Sequence, residues 1–256
     1  MNLSQKKFFV IAHRGASAYF PENTMSAFKA AVDMKADMIE LDVLLSKDNI
    51  PVVFHDERLD YKTNGSGLVL DHTISEMKKL DAGSWFHPKF KNERIATLRE
   101  ILEYSKAKIL VNIEIKPEAV TDNEESGVVE LVLNLVNELE MEDEVLISSF
   151  DYRVLERVKK SRHPVKMAML YEQKQSNGRA PVKLAKDYNI DAFNLNKKEL
   201  TENWVKQLND YKIPFLVYTV NDKNLMESII ESGAKGIFTD KPDVLIGVVE
   251  ELFKKN

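Results

Sequence analysis

Nine short apolar runs of strand length, most of them separated by helix-period stretches, extend along almost the whole of this 256-residue chain. The runs are 8–12, 38–44, 51–54, 109–115, 144–149, 166–170, 191–195, 213–219 and 236–239, and helical patterns include 24–34, 124–139, 151–160, 201–209, 223–232 and 242–253. Strand and helix alternating in this way predict a parallel β/α architecture. Nine strands are one too many for an eight-stranded barrel, and the surplus can be located. Runs 38–45 and 51–54 are too close for a parallel crossover, which needs about ten residues or more, so they are expected to form an antiparallel hairpin. Lys47, Asp48 and Asn49 supply its turn. Pairing Leu45 with Val52 would set Val43 opposite Phe54 and Asp42 opposite His55. With the second hairpin arm set aside, eight strands remain, and the expected fold is a (β/α)8 barrel. At 44% hydrophobic residues the chain can bury a large core.

No repeat, low-complexity tract or Pro/Gly/Ser linker divides the chain, so 1–256 reads as one domain. Residues 57–96 are the least regular part, an inserted excursion with a short helix near 74–80. Its place beside a strand that carries polar residues suits either a substrate loop or a merely structural detour. The balance of 36 basic against 41 acidic residues, net −5, disfavours binding to a phosphate backbone, so no nucleic-acid partner is expected. Zero cysteines exclude disulfides, thiolate metal sites and a cysteine nucleophile. The apolar run Phe8–Ala12 falls short of the roughly 7–15 residues of a signal h-region, and no stretch approaches the ~18–20 apolar residues of a membrane span. A cytoplasmic location is the default expectation.

Polar residues gather where the apolar runs stop. Glu40 and Asp42 are two apart on one strand, so their side chains leave the same face. Two carboxylates aimed into a crowded barrel mouth repel unless a positive charge lies between them. Glu114 ends another strand and can complete a hard-cation site of the kind that suits Mg²⁺ or Ca²⁺. The alternative is that Glu40 and Asp42 pair with nearby lysine or arginine. His13 and His55 are candidates for general acid and base, since imidazole titrates near neutrality. His72, His87 and His163 lie outside such contexts and read as surface or packing residues. Arg14 and Lys116 suit a phosphate, the first as a two-pronged donor and the second as a point charge. His13 and Arg14 share a site only if the chain turns there, and Gly15 allows such a turn. Asn23-Thr24 reads as a helix N-cap, and Asp240, two residues before Pro242, as another. Phe150 and Tyr218 stand where a substrate's carbon skeleton would pack, although rim packing explains isolated aromatics equally well.

The set His13-Arg14-Gly15, Pro21-Glu22-Asn23-Thr24, Glu40-Leu41-Asp42-Val43, Val52-Val53-Phe54-His55-Asp56, Glu114-Ile115-Lys116, Tyr218-Thr219-Val220-Asn221 and Thr239-Asp240-Lys241-Pro242 resembles the glycerophosphodiester phosphodiesterase family, in family order over nearly the whole chain. The resemblance implies a (β/α)8 barrel with an insertion after the second histidine, here 57–96. It implies Glu40, Asp42 and Glu114 as ligands of a divalent cation, Mg²⁺ or Ca²⁺, with His13 and His55 as the acid–base pair and Arg14 and Lys116 on the phosphate. The implied reaction is hydrolysis of a small-molecule glycerophosphodiester to sn-glycerol 3-phosphate and an alcohol. Tyr218 departs from the tryptophan often found there in the family, which bears on how the alcohol or glycerol packs. The rival readings are a related phosphodiesterase acting on lysophospholipids, a catalytically dead barrel that binds phosphodiesters, and a purely structural scaffold.

Overall fold

A computed structural model describes residues 6–122 and 126–254. Its strands are β1 (Phe9–Ala12), β2 (Met38–Leu45), β3 (Pro51–Val53), β4 (Ala96–Thr97), β5 (Leu110–Ile115), β6 (Val145–Ser149), β7 (Lys166–Leu170), β8 (Ala192–Asn196), β9 (Phe215–Tyr218) and β10 (Gly236–Thr239). Eight of them form a parallel ring in the order β1-β10-β9-β8-β7-β6-β5-β2, and pairing of β1 with β2 closes it. All nine expected strands are present, and the fold is the expected (β/α)8 barrel. The tenth, β4, is two residues long and pairs with β3, too short to leave a periodic signal. Among the described residues no helix is long and apolar enough to cross a membrane.

The helix Met25–Asp33 begins at Thr24, whose hydroxyl accepts the Ala27 N–H, so the cap is Thr24 itself. The pattern expected at 124–139 appears as the helix Val128–Glu138, while residues 124 and 125 lie outside those described. Helices Leu98–Ser105 and Pro181–Tyr188 also line the barrel; a capping box of Thr97 and Glu100 starts the first, and proline at the first turn starts the second.

The hairpin of β2 and β3 is antiparallel as expected, but its register differs by one residue: Leu45 faces Pro51, Leu44 faces Val52 and Val43 faces Val53. Asp42 therefore receives the Phe54 N–H at its carbonyl, 3.0 Å away, and His55 lies one residue beyond the expected position. The turn explains the slip. The expected pairing implies an even-membered loop, whereas Lys47, Asp48 and Asn49 form a three-residue loop closed by Ser46 N–H to the Ile50 carbonyl, with Asn49 left-handed at φ 58°. The Ser46 hydroxyl accepts the Ile50 N–H and donates to Asp48, which holds the odd count.

Side-chain alternation divides the core in two. Val10, Ala12, Ile39, Leu41, Val43, Val111, Ile113 and Ile115 face outward onto the helices. Phe9, Ile11, Met38, Leu146, Ala168, Ala192, Leu216 and Phe238 form a separate cluster inside the barrel. Continuing along the inner face toward the strand ends, the side chains turn polar: Glu40, Asn112, Ser148 and Asn194, all buried, then Asp42 and Glu114. An apolar floor with a polar mouth at the C-terminal ends of the strands is where barrels of this kind carry their sites.

Gly15 fixes the loop that leaves β1. Its φ is +83°, and a Cβ there would lie 2.6 Å from the Ala27 carbonyl carbon. Gly15→Ala is expected to cost about 2–4 kcal/mol in urea unfolding, from the left-handed backbone together with overpacking against the helix. A loss under about 0.5 kcal/mol would show that neither constraint operates.

Candidate active site

The chemical groups at the mouth are held largely by neighbours that other elements provide. The backbone of Arg14 is left-handed, φ 55°, and with Gly15 it turns the chain sharply after β1. That turn lets His13 and Arg14 serve one site, and it aims the Arg14 N–H at Glu40 Oε2, 2.8 Å away. One oxygen from each of Glu40, Asp42 and Glu114 lies within 4.8 Å of the others. Glu40 and Asp42 alternate on β2, and Glu114 is the direct neighbour of Asp42 on β5.

Burial and the charge of Asp42 push the Glu40 carboxyl up to about 8. Glu114 is raised as well, first by burial and then by Asp42. Asp42 goes the other way: burial acts to raise it, but Arg14, Lys116 and His55 outweigh burial and hold it below the usual carboxylate range. The Lys116 ammonium lies 3.1 Å from Glu114 and 3.6 Å from Asp42, and the Arg14 Nε is 3.2 Å from Asp42. Pairing with protein cations is thus realised for Asp42 and Glu114. Glu40 has no ion pair among the described residues, and its proton affinity records that shortfall. Three converging oxygen donors short of positive charge fit a divalent cation.

The two expected imidazoles are each held by a carboxylate. His13 Nδ1–H donates to Asp240 Oδ1 at 2.7 Å, and His55 Nδ1–H donates to Asp56 Oδ1 at 2.8 Å. With each Nδ1 engaged, Nε2 is the nitrogen left for proton transfer. Burial acts to lower the His13 pKa, but the Asp240 hydrogen bond and the Glu40 charge overcome it and leave it raised. Asp240 does not act as the expected cap. Its carboxylate accepts from His13, Ser17 and Asn221, and despite burial these bonds bring its pKa down to about 2. A single Asp-x-Pro gives no sign that its partner is a histidine 227 residues earlier.

Asn23 also has a role that its cap-like context hid. It is left-handed, φ 56°, and its amide donates to Asp42 Oδ2 at 2.9 Å. Glu22 accepts from Arg14 Nη1 at 2.9 Å and from Lys62 of the excursion at 3.5 Å, and the Lys62 ammonium lies 3.8 Å above the Trp85 ring. Phe150 and Tyr218 meet edge to face at 6.3 Å on the rim. His72 bonds the Leu68 carbonyl, His87 caps a 3₁₀ turn, and His163 lines a cleft on the outer helical layer, so none of the three joins the mouth.

With this geometry in view, comparison with known proteins is decisive. The glycerophosphoryl diester phosphodiesterase family model matches residues 13–244. The chain belongs to that family. A glycerophosphodiester phosphodiesterase of Caldanaerobacter subterraneus subsp. tengcongensis is 42% identical over 247 residues, covering 96% of this chain and 99% of the relative. A glycerophosphodiester phosphodiesterase of Bacillus subtilis is 35% identical, covering 94% and 86%. Among solved structures, a phosphodiesterase of Oleispira antarctica in complex with the product sn-glycerol-3-phosphate superposes with a TM-score of 0.87 at 28% identity, covering 98% of this chain and all of that one. The protein is an enzyme of this family built on the barrel described above.

The electrostatics predict how stability depends on pH. The folded pKa of Glu40 lies above its ordinary 4.5, so its contribution is full below about 4.5 and is lost as pH rises through about 8. Glu114 and His13, both raised, act in the same sense. In chelator the melting temperature should therefore fall across this window, and Mg²⁺ or Ca²⁺ should raise it more at about pH 8.5 than at about pH 5.5. An equal cation-induced shift at both pH values would contradict the charge shortfall.

Asp240→Asn should lower the His13 pKa, read by NMR titration in chelator. An unchanged value would show that the 2.7 Å bond carries no electrostatic weight.

Proposed function

We propose that this enzyme hydrolyses glycerophosphodiesters to sn-glycerol 3-phosphate and an alcohol, with Glu40, Asp42 and Glu114 holding one divalent cation, Mg²⁺ or Ca²⁺. The observation that carries the reading is the pairing of two carboxylate-held imidazoles with a three-carboxylate cluster at one barrel mouth. Bound there, the cation would neutralise charge on the phosphate. The relatives named above and the product seen in the Oleispira antarctica structure support the choice of substrate class.

The protein's own groups divide the remaining work. Arg14 and Lys116 bind the phosphate oxygens and orient the ester. One of His13 and His55 takes the proton of the attacking hydroxyl at Nε2, and the other delivers a proton to the departing alkoxide. Asp240 and Asp56 keep each ring in the tautomer that leaves Nε2 free and stabilise it when charged. Phe150 and Tyr218 offer the rim surface for the carbon skeleton.

General acid–base catalysis contributes about 10²–10⁴-fold per group, so His13→Ala and His55→Ala should each lower turnover of glycerophosphocholine by that order. The double variant should be little worse than the poorer single one, because the two act together. A substrate with a nitrophenol leaving group needs no proton donor and should rescue only the variant that has lost the acid. Chelation should abolish activity and Mg²⁺ or Ca²⁺ restore it. Near wild-type rates in both single variants would overturn the acid–base pair, and full activity in metal-free enzyme would overturn the cation.

A further inference from the structure

Glu22 stands at the mouth but takes no part in the chemistry above. Its two oxygens have different partners: Oε1 accepts from Arg14 Nη1 at 2.9 Å, and Oε2 lies 3.5 Å from the Lys62 ammonium. The backbone prepares the first contact, because the Asn23 N–H donates to the Arg14 carbonyl at 3.0 Å and brings the preceding residue alongside the arginine. Arg14 Nε faces Asp42 Oδ2 at 3.2 Å. The planar guanidinium is thereby held at two of its three nitrogens. Nη2 has no partner among the described residues and is left for a phosphate oxygen.

Lys62 is held from the other side. It closes the 3₁₀ turn Leu59–Tyr61, whose Leu59 is fully buried, and the Thr63 hydroxyl donates to the Leu59 carbonyl at 2.8 Å. Its ammonium lies 3.8 Å above the Trp85 ring, which is fixed in turn by its own Nε1–H to the Ala82 carbonyl, 2.9 Å away. Glu22, Lys62, Trp85 and His55 line one recess of about 10 Å³, barely the room that a single water needs. No part of a substrate fits there, so Lys62 acts on the mouth through Glu22.

A carboxylate that orients Arg14 also brings a negative charge beside an anionic ester. Lys62 answers that charge at Oε2 and leaves Oε1 to the arginine. We propose that Glu22 and Lys62 are positioning residues for Arg14: Glu22 aims the guanidinium, and Lys62 cancels the charge that Glu22 would otherwise set against the phosphate. The proposal rests on the reading of Arg14 as a phosphate ligand. Substrate binding then depends on a residue of the 57–96 excursion that does not touch the substrate.

The test measures kcat and KM for glycerophosphocholine, and calorimetric binding of sn-glycerol 3-phosphate, both in Mg²⁺. The proteins are the wild type, Lys62→Met, Lys62→Arg, Glu22→Gln, the pair Glu22→Gln with Lys62→Met, and Arg14→Ala. Methionine keeps an apolar stem on Trp85 but removes the charge, so Lys62→Met should raise KM and the Kd of the product about three- to tenfold. Its kcat should change by less than about twofold, the mark of lost uniform binding. Lys62→Arg should stay within about twofold of the wild type, since it restores the charge. In the Glu22→Gln background Lys62→Met should have no further effect, because the charge to be balanced is gone. An equal loss in both backgrounds would mean that Lys62 only packs, and the proposal would be overturned. If Arg14→Ala weakens product binding and Lys62→Met does not, the positioning role falls and the phosphate reading stands. If Arg14→Ala leaves product binding unchanged, the phosphate reading falls and takes the proposal with it. Should the wild type bind the product but hydrolyse no diester, the hydrolase reading falls and the calorimetric cycle decides alone: coupling between Glu22 and Lys62 supports the role, and its absence overturns it.

Discussion

The architecture turns on one electrostatic problem: three carboxylates share the inner face of two adjacent strands in a mouth where Glu40 is 3% and Asp42 is 1% exposed. Such a cluster repels itself and has lost most of its water. Arg14 and Lys116 answer part of the repulsion, and each is placed by the chain segment it belongs to. Arg14 arrives through a left-handed turn that Gly15 and the close approach of Ala27 make possible, and Lys116 follows Glu114 directly off the strand. Glu40 is left with a backbone N–H and no ion pair among the described residues, and burial beside Asp42 keeps its proton affinity high. Each of the two imidazoles beside this cluster carries a carboxylate of its own, Asp240 for His13 and Asp56 for His55.

The excursion is coupled to this field by charge as well as by packing. Trp85, Lys62, Glu22 and Arg14 form a continuous series of contacts from the exposed part of the excursion to Asp42. Glu22 stands between two cations, so moving Lys62 changes what holds Arg14. Residues 57–96 thus contribute to the mouth without supplying the acid, the base, the phosphate-binding cations or the carboxylate cluster.

Much of this was legible because barrel strands are short, apolar and regularly spaced, while the carboxylates stand out at their ends. Spacing alone distinguished the hairpin from a crossover. Its register was not legible, since an odd or even loop count depends on the left-handed Asn49 and on a side-chain bond from Ser46, neither of which alters the hydrophobic pattern. The cap at Asn23-Thr24 was legible, since Thr24 caps the helix, but the bond from the Asn23 amide to Asp42 on the next strand was not. Asp240 sits in a local context that suits a helix cap, and it spends its side chain on His13, made near by closure of the ring. β4 was missed because two residues carry no period. In each case local sequence reported local geometry, and the departures came from contacts across the fold.

The apolar plug inside the barrel has a further consequence. Phe9, Ile11, Met38, Leu146, Ala168, Ala192, Leu216 and Phe238 fill the interior below the acidic residues, none of them more than 4% exposed. The barrel is a cup and not a tube. Whatever reacts at its rim arrives and departs through one opening, so each leaving molecule stands in the path of the next arrival. Entry and exit therefore share one face of the ring, at the C-terminal ends of its strands.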